Sequence, residues 1–229
     1  MYTINKNIIV INKPINWTSN DVVQKVKRII KAKKVGHAGT LDPNASGILV
    51  LGINEGTKLL TKLTLDSKTY VAEIQFGIST NTYDSTGEII SKINKFITLT
   101  EIESAIENLY KNEYWQKPPK FSALKINGKK AYELARNNII FEIEPRLVKI
   151  FEYNILDFNY EKQILKIIIK VSKGFYVRSF AVDLAARINN LAHLLSLVRT
   201  ESGQFSINDA IEIEQVYDYW NNINKHSTN

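Results

Sequence analysis

The sequence predicts an α+β domain in which short strands alternate with amphipathic helices. Three observations carry that reading. Lys68 to Gly77 alternates, with Tyr70, Ala72, Ile74 and Phe76 on one face and Val71, Glu73 and Gln75 on the other, the period of a half-buried strand. Val22, Val26, Ile29 and Ile30 recur at helical spacing directly behind Thr18-Ser19-Asn20-Asp21, which carries helix N-cap chemistry. Arg146 to Phe158 and Ile164 to Val171 are two strand-like runs joined by Asn159-Tyr160-Glu161-Lys162-Gln163, the pattern of a hairpin.

A chain of 229 residues with 44% apolar content can bury one good-sized core. Cysteine is absent, which excludes disulfides and thiolate metal sites. His37, His193 and His226 are far apart and show no ligand spacing, so no metal is expected. The start of the chain, Met1 to Asn7, holds no apolar run long enough for a signal peptide or a membrane span, and a cytoplasmic location is expected. A formal charge of +7 favours a polyanionic partner.

Taken in order, Ile8 to Ile11 reads as a strand broken by Asn12-Lys13-Pro14. The helix after Thr18 carries Lys25, Lys27, Arg28, Lys31, Lys33 and Lys34 off its apolar face. Those charges suit a solvated surface or contact with phosphates. Lys33 to Lys62 then holds five of the ten glycines, and Asp42 is the only carboxylate between Asp21 and Glu55. Gly36 and Gly39 open backbone angles closed to other residues. Pro43 fixes its own φ and pushes Asp42 toward extended geometry. The loop, anchored by Ile48 to Leu51, either caps a helix with Asp42 or presents that carboxylate at a defined angle.

Thr80 to Gly87 is a polar turn, and Thr100-Glu101-Ile102-Glu103 has a capping-box pattern ahead of a helix with Ile102, Ile106 and Leu109 inward. Lys111 to Lys130 mixes Tyr114, Trp115, Pro118, Pro119 and Phe121 with six lysines. Aromatics among cations suit RNA stacking and phosphate contact, or simply a surface loop. Gly174 allows a sharp change of direction before Phe180, Ala181, Leu184, Ala185 and Ile188 at helical spacing, which puts Arg178 at a strand-to-helix junction. Asn208 to Tyr219 reads as a last helix and Asn221 to Asn229 as a polar tail.

Several ordered motifs run through these elements. They are Gly36-His37-Ala38-Gly39-Thr40-Leu41-Asp42-Pro43 with Ala45-Ser46-Gly47 and Gly56-Thr57-Lys58, then Lys68-Thr69-Tyr70, then Lys173-Gly174-x-Tyr176-x-Arg178. Between them stand Pro118-Pro119-x-x-Ser122-Ala123-Leu124-Lys125 and Ala131-Tyr132-x-x-Ala135-Arg136. Together they resemble the TruB family of tRNA pseudouridine-55 synthases over roughly Lys13 to Ala210. Asn12, Asn16 and Asn81 depart from the residues common in that family.

The resemblance implies the pseudouridine synthase fold, a mixed, mostly antiparallel central sheet with flanking helices and a cleft across its middle. It implies one catalytic domain over residues 1–229, with an RNA-binding thumb inserted at about 111–145. About twenty residues follow Ala210, too few for the PUA-type RNA-binding domain that many relatives carry there, so that domain is expected to be missing. The implied reaction isomerises uridine 55 in the T arm of tRNA. It breaks N1–C1′ and joins C5 to C1′ with no net gain or loss of atoms or electrons, so it requires no cofactor. Asp42 would act at the ribose, as nucleophile or as base, and Arg178 would pair with it. Tyr70 would stack on a flipped base, Leu197 lie beside it and His37 fill the gap it leaves. Tyr176, Lys13, Asp84, Lys129 and Lys130 are further expected substrate contacts. The partner would be the T stem-loop of tRNA, bound by a monomer without guide RNA. Two alternatives are a non-catalytic RNA-binding module and a synthase for another RNA.

Overall fold

A computed structural model describes residues 7–225, which fall into two compact units. One comprises the chain up to Thr69 together with Val198 onward, and the other Tyr70 to Leu197. The expected polar tail lies partly, and His226 wholly, outside the described residues.

The first unit is built on β1 (Ile8–Lys13), α1 (Ser19–Ile29), β2 (Val35–His37) and β3 (Ser46–Ile53). A 3-10 turn over Asn54–Leu59 and the short α2 (Leu60–Thr64) follow. β3 pairs antiparallel with β1, Ile8 opposite Gly52, and with β2, Val35 opposite Ile53. Thr18 caps α1 as expected: its hydroxyl accepts from Asp21 N, and the Asp21 carboxylate accepts from Thr18 N. Val22, Val23 and Val26 of α1 pack with Ile9, Ile11, Leu49, Leu51 and Ile53 into one apolar cluster. β3 is buried almost throughout, so it reads as a continuous apolar run rather than an alternation.

The second unit holds the rest of β4 (Lys68–Phe76), whose first two residues belong to the first unit. It continues with β5 (Ile78–Thr80), β6 (Ile89–Lys92), α3 (Leu99–Tyr110) and β7 (Tyr114–Gln116). Next come β8 (Lys125–Ile126), β9 (Lys129–Lys130), α4 (Ala131–Arg136), β10 (Arg146–Val148), β11 (Ile150–Asn159), β12 (Ile164–Val171) and α5 (Val177–Arg187). β13 (Ala192–Ser202) contributes Ala192 to Leu197 here and its last residues to the first unit. Strand order in the second unit is β13-β4-β12-β11.

In the first unit β13 runs parallel to β3, Val198 opposite Ser46 and Arg199 opposite Gly47. It then turns back antiparallel onto β14 (Phe205–Ser206). The parallel β3–β13 pairing beside antiparallel ones gives the mixed sheet and α+β class that the sequence implies.

Four local readings are corrected. The capping box of α3 begins at Thr98, two residues before Thr100, because the Thr98 side chain and Glu101 satisfy each other's backbone donors. The run from Arg146 divides: Arg146–Val148 pairs with β7, and only β11 forms the hairpin with β12. The last helix, α6 (Val216–Lys225), starts eight residues later than Asn208, behind two 3-10 turns at Ile207–Asp209 and Ile213–Gln215. β13 was not expected as a strand, since its apolar residues are interrupted by Ser196, Arg199 and Glu201.

Candidate active site

In the first unit the glycine-bounded loop between β2 and β3 is held by its backbone. Ala38 N donates to Val50 O at 2.9 Å, and Ala45 N to Asp42 O at 3.1 Å. The buried Ser19 hydroxyl both accepts from Leu41 N (2.9 Å) and donates to Leu41 O (3.0 Å), so α1 fixes the residue before Asp42 from two sides. Asn16 N donates to Pro43 O at 2.7 Å. Lys13, with no exposed surface, donates through Nζ to Pro14 O, Trp17 O and Pro43 O. Arg199, 1% exposed, donates from Nε to Ile48 O (2.8 Å) and from Nη2 to Gly39 O (3.3 Å).

Three cations are therefore enclosed around this loop: Lys13, Arg199 and Lys68, whose Nζ donates to Leu63 O, Thr64 O and Asp66 O. Burial lowers Lys13 to about 8, with Arg199 adding to the effect and Asp42 opposing it. Burial and Arg199 likewise lower Lys68 to about 8. His37 lies on β2 at the start of the loop, and burial and Arg199 hold its imidazole below its ordinary value. That keeps it neutral at pH 7. Three enclosed cations leave the loop that carries Asp42 in a positive field.

The second unit carries a different cluster. Arg178 stands in the first turn of α5 and is 4% exposed. Its guanidinium donates to Thr82 O (3.1 Å) and Phe121 O (3.0 Å) and lies 3.7 Å from the Asp84 carboxylate. Asp84 Oδ1 is held by the hydroxyls of Thr82 and Thr86 and by Thr86 N. Gln116, 1% exposed, accepts Tyr176 N at 2.7 Å and donates to the Tyr114 hydroxyl, while Ser179 Oγ donates to Lys117 O. The segment from β7 to Phe121 is thus stitched to the turn that bears Tyr176 and Arg178.

Residues 27–177 match the family model described as TruB family pseudouridylate synthase, N-terminal domain. The chain belongs to the TruB family of pseudouridylate synthases. It is accordingly an isomerase acting on RNA. It is 76% identical to the tRNA pseudouridine synthase B of Ureaplasma parvum serovar 3, over 99% of this chain and 100% of that protein. It is 40% identical to that of Mycoplasmoides gallisepticum, over 92% and 97% respectively. In fold it is similar to a chain of a Cbf5-Nop10-Gar1 complex, with a TM-score of 0.72 and 24% identity over 97% of this chain and 56% of that one.

With the TruB family established, the expected site residues sort by unit. The first unit gathers Lys13, His37 and Asp42 on and around one loop. The second joins Arg178 to Asp84 directly and sets Tyr176 at the N-cap of α5. Tyr70 and Leu197 are buried on the neighbouring strands β4 and β13. Lys129 and Lys130 are exposed on β9.

Two expectations change in kind. The three donors of Lys13 are taken up by carbonyls, so it shapes the Asp42 loop instead of reaching substrate. Asp84 is 4% exposed and its carboxylate orients Arg178. Sequence reading passed over Ser19, Lys68, Gln116 and Arg199 as site residues. The one available sign was charge inside apolar runs, as with Arg199 after Leu194, Leu195 and Leu197.

Asp183 on α5 is a titratable group of this region outside those motifs. Its Oδ2 is buried without a hydrogen-bond partner among the described residues, and burial raises its pKa to about 6, with Arg187 opposing. A carboxyl raised in the folded state binds protons there that the unfolded chain has released. Stability therefore falls as pH rises through the window between the ordinary value and 6, and the cost stays in full above it. Asp183→Asn is expected to raise stability at pH 7 by about 1–2 kcal/mol and to flatten the stability profile between about pH 4 and 6. Thermal unfolding at pH 4 and pH 7 checks both.

Proposed function

We propose that this enzyme converts uridine 55 in the T arm of tRNA to pseudouridine by flipping the base out and acting on its ribose through Asp42. The observation that carries the reading is the Asp42 loop. It is a single carboxylate on a backbone tied down by Ser19, Lys13 and Arg199, inside the stretch matched by the family model. Such fixed positioning is what attack at a sugar carbon, or proton removal beside it, requires. The curated relatives named tRNA pseudouridine synthase B supply tRNA as the substrate.

In this reaction N1–C1′ breaks, the freed uracil turns, C5–C1′ forms, and the proton on C5 is lost as N1 gains one. Asp42 serves as nucleophile at C1′ or as base at C2′, with Arg178 as its partner. Tyr70 carries the base and Leu197 walls it. His37, neutral and at the mouth of the loop, fills the space the base leaves. Extruding the base costs a few kcal/mol, offset by stacking and by contacts to the phosphates. The protein acts as a monomer on tRNA without guide RNA, in the cytoplasm, and no helix among the described residues is long and apolar enough to cross a membrane.

Incubation with unmodified tRNA transcript, followed by mapping of pseudouridine, tests the proposal. One modified site in the T loop is expected. Modification elsewhere, or none, overturns it.

The segment from residue 111 to 145 is proposed as a thumb that closes on the RNA, with the β8–β9 hairpin at its tip. Lys129→Gln is expected to weaken RNA binding and to lower the slope of log affinity against log salt by about 0.7–0.9, one phosphate contact. An unchanged slope in a salt titration shows that this lysine is only solvated.

A further inference from the structure

We infer that a hollow of about 370 Å³ lined by Asn16, Trp17, Asp21, Gln24, Lys25 and Arg28 is a subsite for a nucleotide of the substrate RNA next to the target uridine, with Lys25 and Arg28 taking its phosphate and Trp17 its base. The inference rests on the proposed function, since it adds a binding site to the same substrate.

The hollow has a local cause. Asn16 adopts a left-handed conformation (φ 67°), which turns the chain after Pro14 and lays Trp17 against the start of α1. Asparagine tolerates that region better than most residues. Positions 21, 24, 25 and 28 then share one side of α1, at three- and four-residue spacings, with Trp17 just ahead of the N-cap Thr18. The volume falls within the ~300–1,000 Å³ of ligand sites.

Its chemistry is that of a nucleotide site. Trp17 is half-buried against the core of the first unit, and its indole N–H makes no hydrogen bond among the described residues. Lys25 and Arg28 are exposed and make no ion pair or side-chain hydrogen bond among the described residues. The one carboxylate, Asp21, is already used by the amide and hydroxyl of Thr18, at 2.9 and 2.6 Å. Two cations against one carboxylate leave the hollow with a net positive charge. A base stacked on indole and a phosphate held by two cations is the arrangement single-stranded nucleic acid favours.

Its position fits a neighbour of the target. Asn16 on the rim donates its backbone N–H to Pro43 O at 2.7 Å, and Lys13 bridges Trp17 O and Pro43 O. The hollow is thus one hydrogen bond from the residue that follows Asp42. A nucleotide bound there is anchored to the same backbone that presents the catalytic carboxylate.

The test is RNA binding by a T-arm stem-loop. The double variant K25Q/R28Q is expected to lower the salt slope by about 1.4–1.8 and to raise Kd about 30-fold at 0.1 M salt. Lys170→Gln, a cation of β12 paired with Glu152, serves as the comparison and is expected to leave both within error. In the background W115F/W220F, Trp17 is the one remaining tryptophan, and saturating RNA is expected to quench its emission. A salt slope equal to that of the parent overturns the inference. So does a lowered slope with Trp17 emission unmoved at saturation, because the cations then act outside the hollow. Absence of pseudouridine from transcript treated with the parent protein overturns the proposed function instead. Normal product alongside an unchanged slope removes the subsite alone.

Discussion

Asp42→Asn is expected to leave no measurable pseudouridine, a loss of about 10⁴-fold or more in kcat, while RNA affinity stays within a few fold. The reason for the split is chemical. Asparagine keeps the size and hydrogen-bonding shape of the side chain but can neither attack C1′ nor accept a proton at C2′. The loop itself is held through carbonyls and amides of Gly39, Leu41 and Pro43, which the substitution does not touch. Single-turnover assays on tRNA transcript, beside filter binding of the same RNA, measure both quantities. Retained product, or lost binding with partial activity, refutes the role of Asp42. Arg178→Lys keeps a positive charge but loses the planar fork that reaches Thr82 O and Phe121 O. Under the proposed pairing, its effect on kcat is expected to be strongly non-additive with Asp42→Asn.

Gly47→Ala is the substitution expected to cost most in stability, about 3 kcal/mol or more. Two effects coincide at this residue. Gly47 has φ +101°, where an L side chain is strained, and an added Cβ would overlap the carbonyl of Arg199 and stand 2.7 Å from its nitrogen. That neighbour is the backbone of β13 in the parallel pairing with β3, so it cannot swing aside as a flexible side chain could. A loss of that size lowers Tm by roughly 6–12 °C in a chain of this length. Gly128→Ala isolates the first effect. Its φ is +83°, with nothing within 4 Å of an added Cβ, and it is expected to cost only about 1–2 kcal/mol. Thermal unfolding of the two variants side by side separates strain from collision. Equal shifts refute the collision at Gly47.

Much of this molecule could be read in advance because its cues are local. Thr18 and Asp21 announce the start of α1, and the alternation from Tyr70 to Phe76 announces β4. The Asp42 loop is written as glycines and a proline within eight residues. What stayed hidden depends on partners distant in sequence. The burial of Lys13 against Pro43, and of Arg199 against Gly39 and Ile48, follows from tertiary contact, and no periodicity marks it. Thr98 took the cap of α3 from Thr100 because both threonines precede a glutamate at plausible spacing and only packing of Ile97 decides between them. β13 went unseen because Arg199 and Ser196 make its apolar run look broken, although each is satisfied, by Ile48 O and by Glu73.

The enclosure of Lys13 sets a rule for tolerated variation. Its ammonium has three donors, and three carbonyl oxygens at 2.7–3.4 Å receive them in a space with no solvent. Arginine brings a flat, wider head with five donors. It would leave donors stranded and push Trp17 and Pro43 apart. An exchange usually counted as mild is therefore forbidden here, while methionine, which fits the channel but leaves three carbonyls orphaned, fails for the opposite reason.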